Sequence, residues 1–164
     1  MTLTEFNALS EQQARQILSP CVNIAQWVDQ VIQGRPFASL QQAMACATQA
    51  SDGWQGEAIA LALAQHPRIG ERMIGDSQEA ALSRAEQATL GLSEQQTLQA
   101  LLLGNRQYEQ RFNRVFLIRA KGRTPADILA HLHRRLGNND AQELLETAEQ
   151  LQQITLLRFQ ELFD

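Results

Sequence analysis

Apolar positions along this chain come in short stretches, and polar punctuation opens and closes each one. That pattern reads as a series of helices. Ser10 and Gln13 make a capping box, in which each side chain satisfies the other residue's free backbone N–H. They open a helix of about 11–18, ahead of Pro20. A second helix runs from about Val22 to Ile32, with Gly34 placed to end it. Ser39 and Gln42 repeat the box and open a helix of about 40–50, and Asp52-Gly53 marks a turn. A helix of about 54–65 then meets Pro67. Proline restricts the residue before it to extended conformations, so His66 falls at or just past the helix end. The stretch HPRIGERMIG, 66–75, holds one proline and two glycines with no helical period, and reads as a loop.

A short helix of about 77–89 follows, and Ser93 with Gln96 opens the longest one, about 94–120. Within it VFLI, 115–118, is strand-like by composition. No neighbouring strand exists to pair with it, so it stays helical or irregular. Thr124-Pro125 puts a proline at a first helical position, and Gly137 closes that helix. Asp140 caps a final helix of about 141–162. The expected architecture is all-α: a single-domain bundle of about eight helices over residues 1–164, with no internal repeat.

Composition narrows this picture. Leucine, glutamine and alanine occur 23, 23 and 22 times in 164 residues, against 21 for valine, isoleucine and threonine together. So few β-branched residues exclude a sandwich or barrel. A hydrophobic share of 44% excludes disorder, and a net charge of −4 excludes a generally basic nucleic-acid coat. The lone lysine, Lys121, argues against Schiff-base chemistry. Charge is nevertheless segregated: residues 101–135 carry 8 basic and 2 acidic groups. That stretch is a candidate anion site, and equally a solvated helix face paired with acidic neighbours. Cys21 and Cys46 form no CxxC pair and read as reduced core thiols of a cytoplasmic protein. The N-terminus shows no signal-peptide pattern, and no apolar run is long enough to span a membrane.

Several chemistries drop out. His131 and His133, two apart on a helix, point to different faces and cannot share an ion, and no HExxH or Cys/His cluster occurs, so no metal is expected. There is no GxGxxG, no GxxxxGK[ST] and no GxSxG. What remains is a polar row: Ser83, Glu86 and Gln87 share one helix face, beside the small Ala80, Ala81, Ala85 and Ala88. A hydroxyl, a carboxylate and an amide make a useful hydrogen-bonding set. His66 stands some 17 residues earlier on a loop that can return to this face. A histidine beside a glutamate holds a titratable proton near neutral pH. The plain alternative is a solvent-facing row and a helix-end histidine. Trp27, Trp54, Phe37, Phe112 and Phe159 read as core. Arg119 and Arg123 either meet an anion or pair at the surface, and His131 and His133 have no evident role.

Three segments together carry a resemblance: HPRIGER at 66–72, SRAEQ at 83–87, and NRQYEQRFNRVFLIRAKGRT at 105–124. With Ser19–Leu40, including Trp27 and RPF at 35–37, and RRLGNNDAQELLETAEQLQQITLLRF at 134–159, the chain resembles the OHCU decarboxylase family of urate and purine degradation. OHCU is 2-oxo-4-hydroxy-4-carboxy-5-ureidoimidazoline. The resemblance covers essentially the whole chain. It implies an all-α, cytoplasmic, usually dimeric carboxy-lyase that needs no cofactor and yields (S)-allantoin. It also implies that His66 resembles the catalytic proton donor. Pro67, the run Ser83, Arg84, Ala85, Glu86, Gln87 and the run Phe116, Leu117, Ile118, Arg119, Ala120 resemble the substrate-contacting parts. Where many members have a Gly-Phe-Pro-Phe-like run, this chain has Asn113-Arg114-Val115-Phe116.

The implied substrate carries its carboxylate beside an electron-poor C=N centre and so supplies its own electron sink, which is why a cofactor is not required. The expected division of labour gives His66 the proton relay and Glu86 the orientation of His66 or of the substrate's 4-hydroxyl. Backbone N–H groups of 116–120 and the Gln87 amide would stabilise the spread charge. Two other classes compete: a helical module binding nucleic acid through 101–135, whose only aromatics are Tyr108, Phe112 and Phe116, and a non-catalytic interaction protein. Neither gives His-Pro and SxxEQ a purpose, so no nucleic-acid partner is expected.

Overall fold

The computed structural model describes residues 1–66 and 95–163. Among the described residues every regular element is an α-helix: α1 Leu3–Ala8, α2 Glu11–Leu18, α3 Ala25–Gln33, α4 Leu40–Ala50, α5 Gly56–Leu63, α6 Gln95–Phe112, α7 Pro125–Arg135 and α8 Asp140–Glu161. The all-α expectation holds. The expected helix of about 77–89, and all of the expected 66–75 loop beyond His66, lie outside the described residues.

The caps explain most boundaries. Ser10 and Gln13 exchange both bonds of the box at the start of α2, as do Thr124 and Asp127 at α7, where Pro125 is the first helical residue. Ser39 accepts from Gln42 N at α4, but the Gln42 side chain reaches back to Ala38 N, so that box is not reciprocal. Four expectations are corrected. Thr2 and Glu5 form a full capping box and open α1, a helix not among those expected. The second helix starts at Ala25, and its N-cap, Ile24, has no side chain able to accept a bond. The last helix is capped by Asn139, whose side chain accepts from Gln142 N at 2.8 Å while Gln142 returns the bond at 3.1 Å; Asp140 is already helical. The helix expected to reach 120 stops at Phe112, because Asn113 adopts φ 57°, a left-handed conformation that asparagine tolerates and a continuing helix does not.

The chain divides into two compact units, Met1–Ala62 with Gln152–Asp164, and Leu63–Leu151. In the first, Trp27 is fully buried and donates from Nε1 to Ala47 O at 3.0 Å. Around it Phe6, Phe159 and Phe163 meet edge to face at centroid distances of 5.3–6.0 Å. Cys21 is buried, but Cys46 is only half-buried, and Trp54 is also partly exposed, so neither of these two is a core residue in the expected sense. In the second unit Leu101, Tyr108 and Phe112 of α6 pack with Ile128 and Leu132 of α7 and with Phe116, Ile118 and Ala120 between them. The two helices approach closely at Gly104, where a Cβ would stand 2.5 Å from Leu132 Cδ2. Among the described residues no helix is long and apolar enough to cross a membrane.

Candidate functional site

Two of the three implied segments are represented among the described residues: His66 and Phe116–Ala120. Pro67 and the Ser83–Gln87 row, with Glu86, lie outside them, and the expected meeting of His66 with Glu86 lies there too.

His66 follows the end of α5, its N–H donating to Leu63 O at 3.0 Å, as expected of a residue in front of Pro67. It is 8% exposed.

Residues 113–120 have no regular secondary structure, so their backbone groups need other partners. VFLI is thus irregular rather than helical. Phe116, Leu117, Ile118 and Ala120 are all buried, while Arg119 is half-buried. The segment is fixed from three sides. Arg135 of α7 donates from Nη1 to Leu117 O at 2.8 Å. Gln150 of α8 accepts the Arg119 N–H at 2.9 Å. Arg123 donates from Nε to Arg119 O at 2.9 Å, while its own N–H returns to Ala120 O at 3.1 Å, a turn that Gly122 completes at φ 83°. Arg119 itself donates to Lys121 O at 3.1 Å, and Lys121 is exposed.

Arg135 is the centre of a buried network. Its guanidinium forks onto Glu143, with Nε to Oε1 at 3.0 Å and Nη2 to Oε2 at 2.7 Å, and its plane lies 4.4 Å from the centroid of Phe116. Both partners are almost wholly excluded from solvent. Tyr108 donates its hydroxyl to Glu143, and Asn138 donates to the same carboxylate at 3.2 Å. Burial alone pushes the Glu143 carboxyl up, but the bonds from Arg135 and Tyr108 outweigh it and hold the group below the usual carboxylate range. Burial, then the bond to Glu143, pushes the Tyr108 phenol up. The network is therefore an ionised carboxylate and guanidinium with a neutral phenol.

The remaining basic residues of 101–135 divide between the two readings. Arg134 pairs with Glu146 at 2.9 Å at the surface, as a solvated face would. His131 lies between Arg123 Nη1 at 3.1 Å and Arg134 Nη2 at 3.4 Å. Burial and then these guanidiniums push its imidazole down. Neither histidine of the 131–133 pair takes part in a metal cluster, and among the described residues no group of three His, Cys, Asp or Glu side chains is assembled for a metal.

Sequence reasoning missed Arg135, Glu143, Tyr108 and Gln150. In the sequence Arg135 reads only as part of the basic stretch and Tyr108 as one of its aromatics, and Glu143 and Gln150 have no role of their own. The available signal was the irregular VFLI itself, since backbone without regular bonds requires polar side chains from its neighbours. It also passed over Arg158 in the first unit, 2% exposed, with Nη1 against the carbonyls of Pro20 and Cys21 at 3.5 and 3.4 Å.

A profile described as OHCU decarboxylase matches residues 7–160. The chain is 29% identical over 170 residues to the 2-oxo-4-hydroxy-4-carboxy-5-ureidoimidazoline decarboxylase of Amia calva, covering 99% of this chain and 94% of that protein. It is 27% identical over 171 residues to the uric acid degradation bifunctional protein of Bacillus sp. (strain TB-90). That match covers 99% of this chain and 32% of the relative, so the chain spans about a third of that protein's length. Among solved structures, OHCU decarboxylase in the presence of (S)-allantoin is similar with a TM-score of 0.76 at 27% identity, over 90% of this chain and 97% of that one.

Proposed function

The chain belongs to the OHCU decarboxylase family, and on that premise we propose that it decarboxylates OHCU to (S)-allantoin in urate degradation. The observation that carries the reading is the family match over 7–160, which includes the His-Pro pair, the SRAEQ row and the 116–120 segment. The fold supports it, since His66 is buried where the His-Pro pair predicts and 116–120 is a rigidly held, irregular segment.

The chemistry follows from the substrate. The bond between the ring carbon and its carboxylate breaks, carbon dioxide leaves, and the electron pair passes into the adjacent C=N system. One proton is then delivered to one face of the ring, which sets the handedness of the product. The protein orients the leaving carboxylate, stabilises the spread negative charge and supplies that proton. His66 is the proton donor. Glu86 orients His66 or the substrate hydroxyl. Pro67, Ser83–Gln87 and the backbone of Phe116–Ala120 hold the substrate. No cofactor, metal or nucleic acid takes part. The chain works as one domain over 1–164, in a homodimer, in the cytoplasm, where its two free cysteines stay reduced.

Purified His66→Asn tests the assignment. A general acid contributes about 10²–10⁴-fold, so turnover falls by that factor while the circular dichroism spectrum is unchanged. A folded variant with wild-type turnover overturns the role. Glu86→Gln removes charge at constant shape, and unchanged turnover there reduces Glu86 to a scaffold.

A further inference from the structure

We propose that Arg135, held by Glu143 and acting together with Gln150, is a positioning residue that aims the Ile118 and Ala120 amides at the substrate. The inference rests on the proposed contact between 116–120 and the substrate, and adds which buried groups set that contact.

The argument needs only the planarity of the peptide. In a trans peptide the carbonyl and the following N–H point to opposite sides. Among the described residues the single cis bond is Arg35–Pro36, so all peptides of the segment are trans. Leu117 C=O is committed to Arg135, so Ile118 N–H points away from Arg135. Arg119 N–H is committed to Gln150, so Ile118 C=O points away from Gln150. Arg119 C=O is committed to Arg123, so Ala120 N–H points away from Arg123. Three side-chain anchors thus fix three successive peptide planes. They leave two donors and one acceptor, each facing away from the side chain that anchors its own peptide.

Those three groups belong to residues 3% and 4% exposed, and among the described residues none of them has a hydrogen-bond partner. Buried backbone amides without a partner are rare because desolvation makes them costly. Two such N–H groups two residues apart, with a C=O between, suit a ligand that is both anionic and ureido-bearing: donors for the developing charge, an acceptor for an amide N–H.

Arg135 suits this role where lysine would not. One edge of its planar fork engages Glu143 while another nitrogen reaches Leu117 O, and its face covers Phe116. A lysine ammonium reaches one of these at a time. Gln150 is half-buried and supplies a second, independent anchor that can be removed with little effect on folding.

The test uses Arg135→Lys, Gln150→Leu, Gln150→Glu and, as a core control, Leu101→Ala, at a temperature where all are folded. kcat and KM are measured on OHCU, and amide exchange is followed at Ile118 and Ala120. Misplacing a reacting contact by about 1 Å costs on the order of 10²-fold, so Arg135→Lys and Gln150→Leu lose about that much kcat/KM, chiefly in kcat. Their Ile118 and Ala120 amides exchange faster than in the wild type. Gln150→Glu, which keeps the acceptor, retains wild-type kcat, and Leu101→Ala, which loosens packing against the segment but keeps both anchors, loses less kcat than either anchor variant. Folded Arg135→Lys and Gln150→Leu proteins with wild-type kinetics overturn the proposal. If the wild type itself fails to accelerate the reaction, the proposed function falls, and amide exchange decides positioning alone: no change at Ile118 and Ala120 in either variant overturns it.

Discussion

In the unit formed by Met1–Ala62 and Gln152–Asp164, Phe6, Trp27, Phe159 and Phe163 fill the core by edge-to-face ring contacts, and one indole N–H is satisfied by one helix carbonyl. In the unit Leu63–Leu151, the rings of Tyr108 and Phe116 flank a charged pair, and Phe112 packs on Tyr108. The difference follows from what each core has to hold. Regular helices satisfy their own backbone, so an apolar filling is enough beneath them, and the first unit's buried Arg158 meets carbonyls only where the chain is not helical, at Pro20 and Cys21. Residues 113–120 do not satisfy theirs, and a core beneath irregular backbone must carry polar groups to meet it. A buried ion pair is a poor source of stability but a good one of specificity, because the fork fits one arrangement. The charged pair therefore belongs to the core that carries the irregular backbone of its own unit.

Breaking the pair from one side gives the largest expected effect. Arg135→Met strands the Glu143 charge and destabilises by about 3–5 kcal/mol in urea unfolding. Replacing both, Arg135→Met with Glu143→Leu, recovers most of that stability without recovering catalysis, which separates holding the fold from aiming the segment. Tyr108→Phe removes one donor to Glu143 and costs about 1–3 kcal/mol. In the other unit Trp27→Phe loses a single neutral hydrogen bond, costs about 1 kcal/mol, and leaves turnover unchanged. The smallest pair tests a boundary: Asn139→Ala costs about 1 kcal/mol as the true cap of α8, and Asp140→Ala only a few tenths.

Acid sharpens the same contrast. Glu143 titrates lower in the folded chain than in the unfolded one. Its contribution is therefore complete above the ordinary glutamate value of about 4.3 and is lost as pH falls through that value towards the lower folded one. Unfolding followed between neutral pH and pH of about 3 shows a stability loss that Glu143→Gln diminishes. His131 has the same sign at higher pH. Its depressed imidazole contributes fully above about 6.5 and progressively less below it.

The helices were legible where a cap is written in residues and where the chain must stop. Ser10–Gln13 and Thr124-Pro125 gave their starts to the residue. Thr2–Glu5 is written just as clearly and opens a helix of six residues. The overrun from 112 to 120 has a physical cause. Leu117, Arg119 and Ala120 are compatible with helix, and the stop is written in a single residue, Asn113, whose type also occurs inside helices. The proposed site was marked in the sequence only through the family resemblance that short motifs such as HPRIGER and the 105–124 stretch carry. Its supports were not, because Arg135 and Glu143 carry the same letters as the exposed Arg134 and Glu146 beside them. Only burial distinguishes a structural ion pair from a solvated one.

The most direct test generates OHCU from urate with the upstream enzymes, adds this protein, and follows optical activity as allantoin appears. The account predicts a rate above the spontaneous decay and a product of (S) handedness alone. Decay at the spontaneous rate, to racemic allantoin, would contradict it.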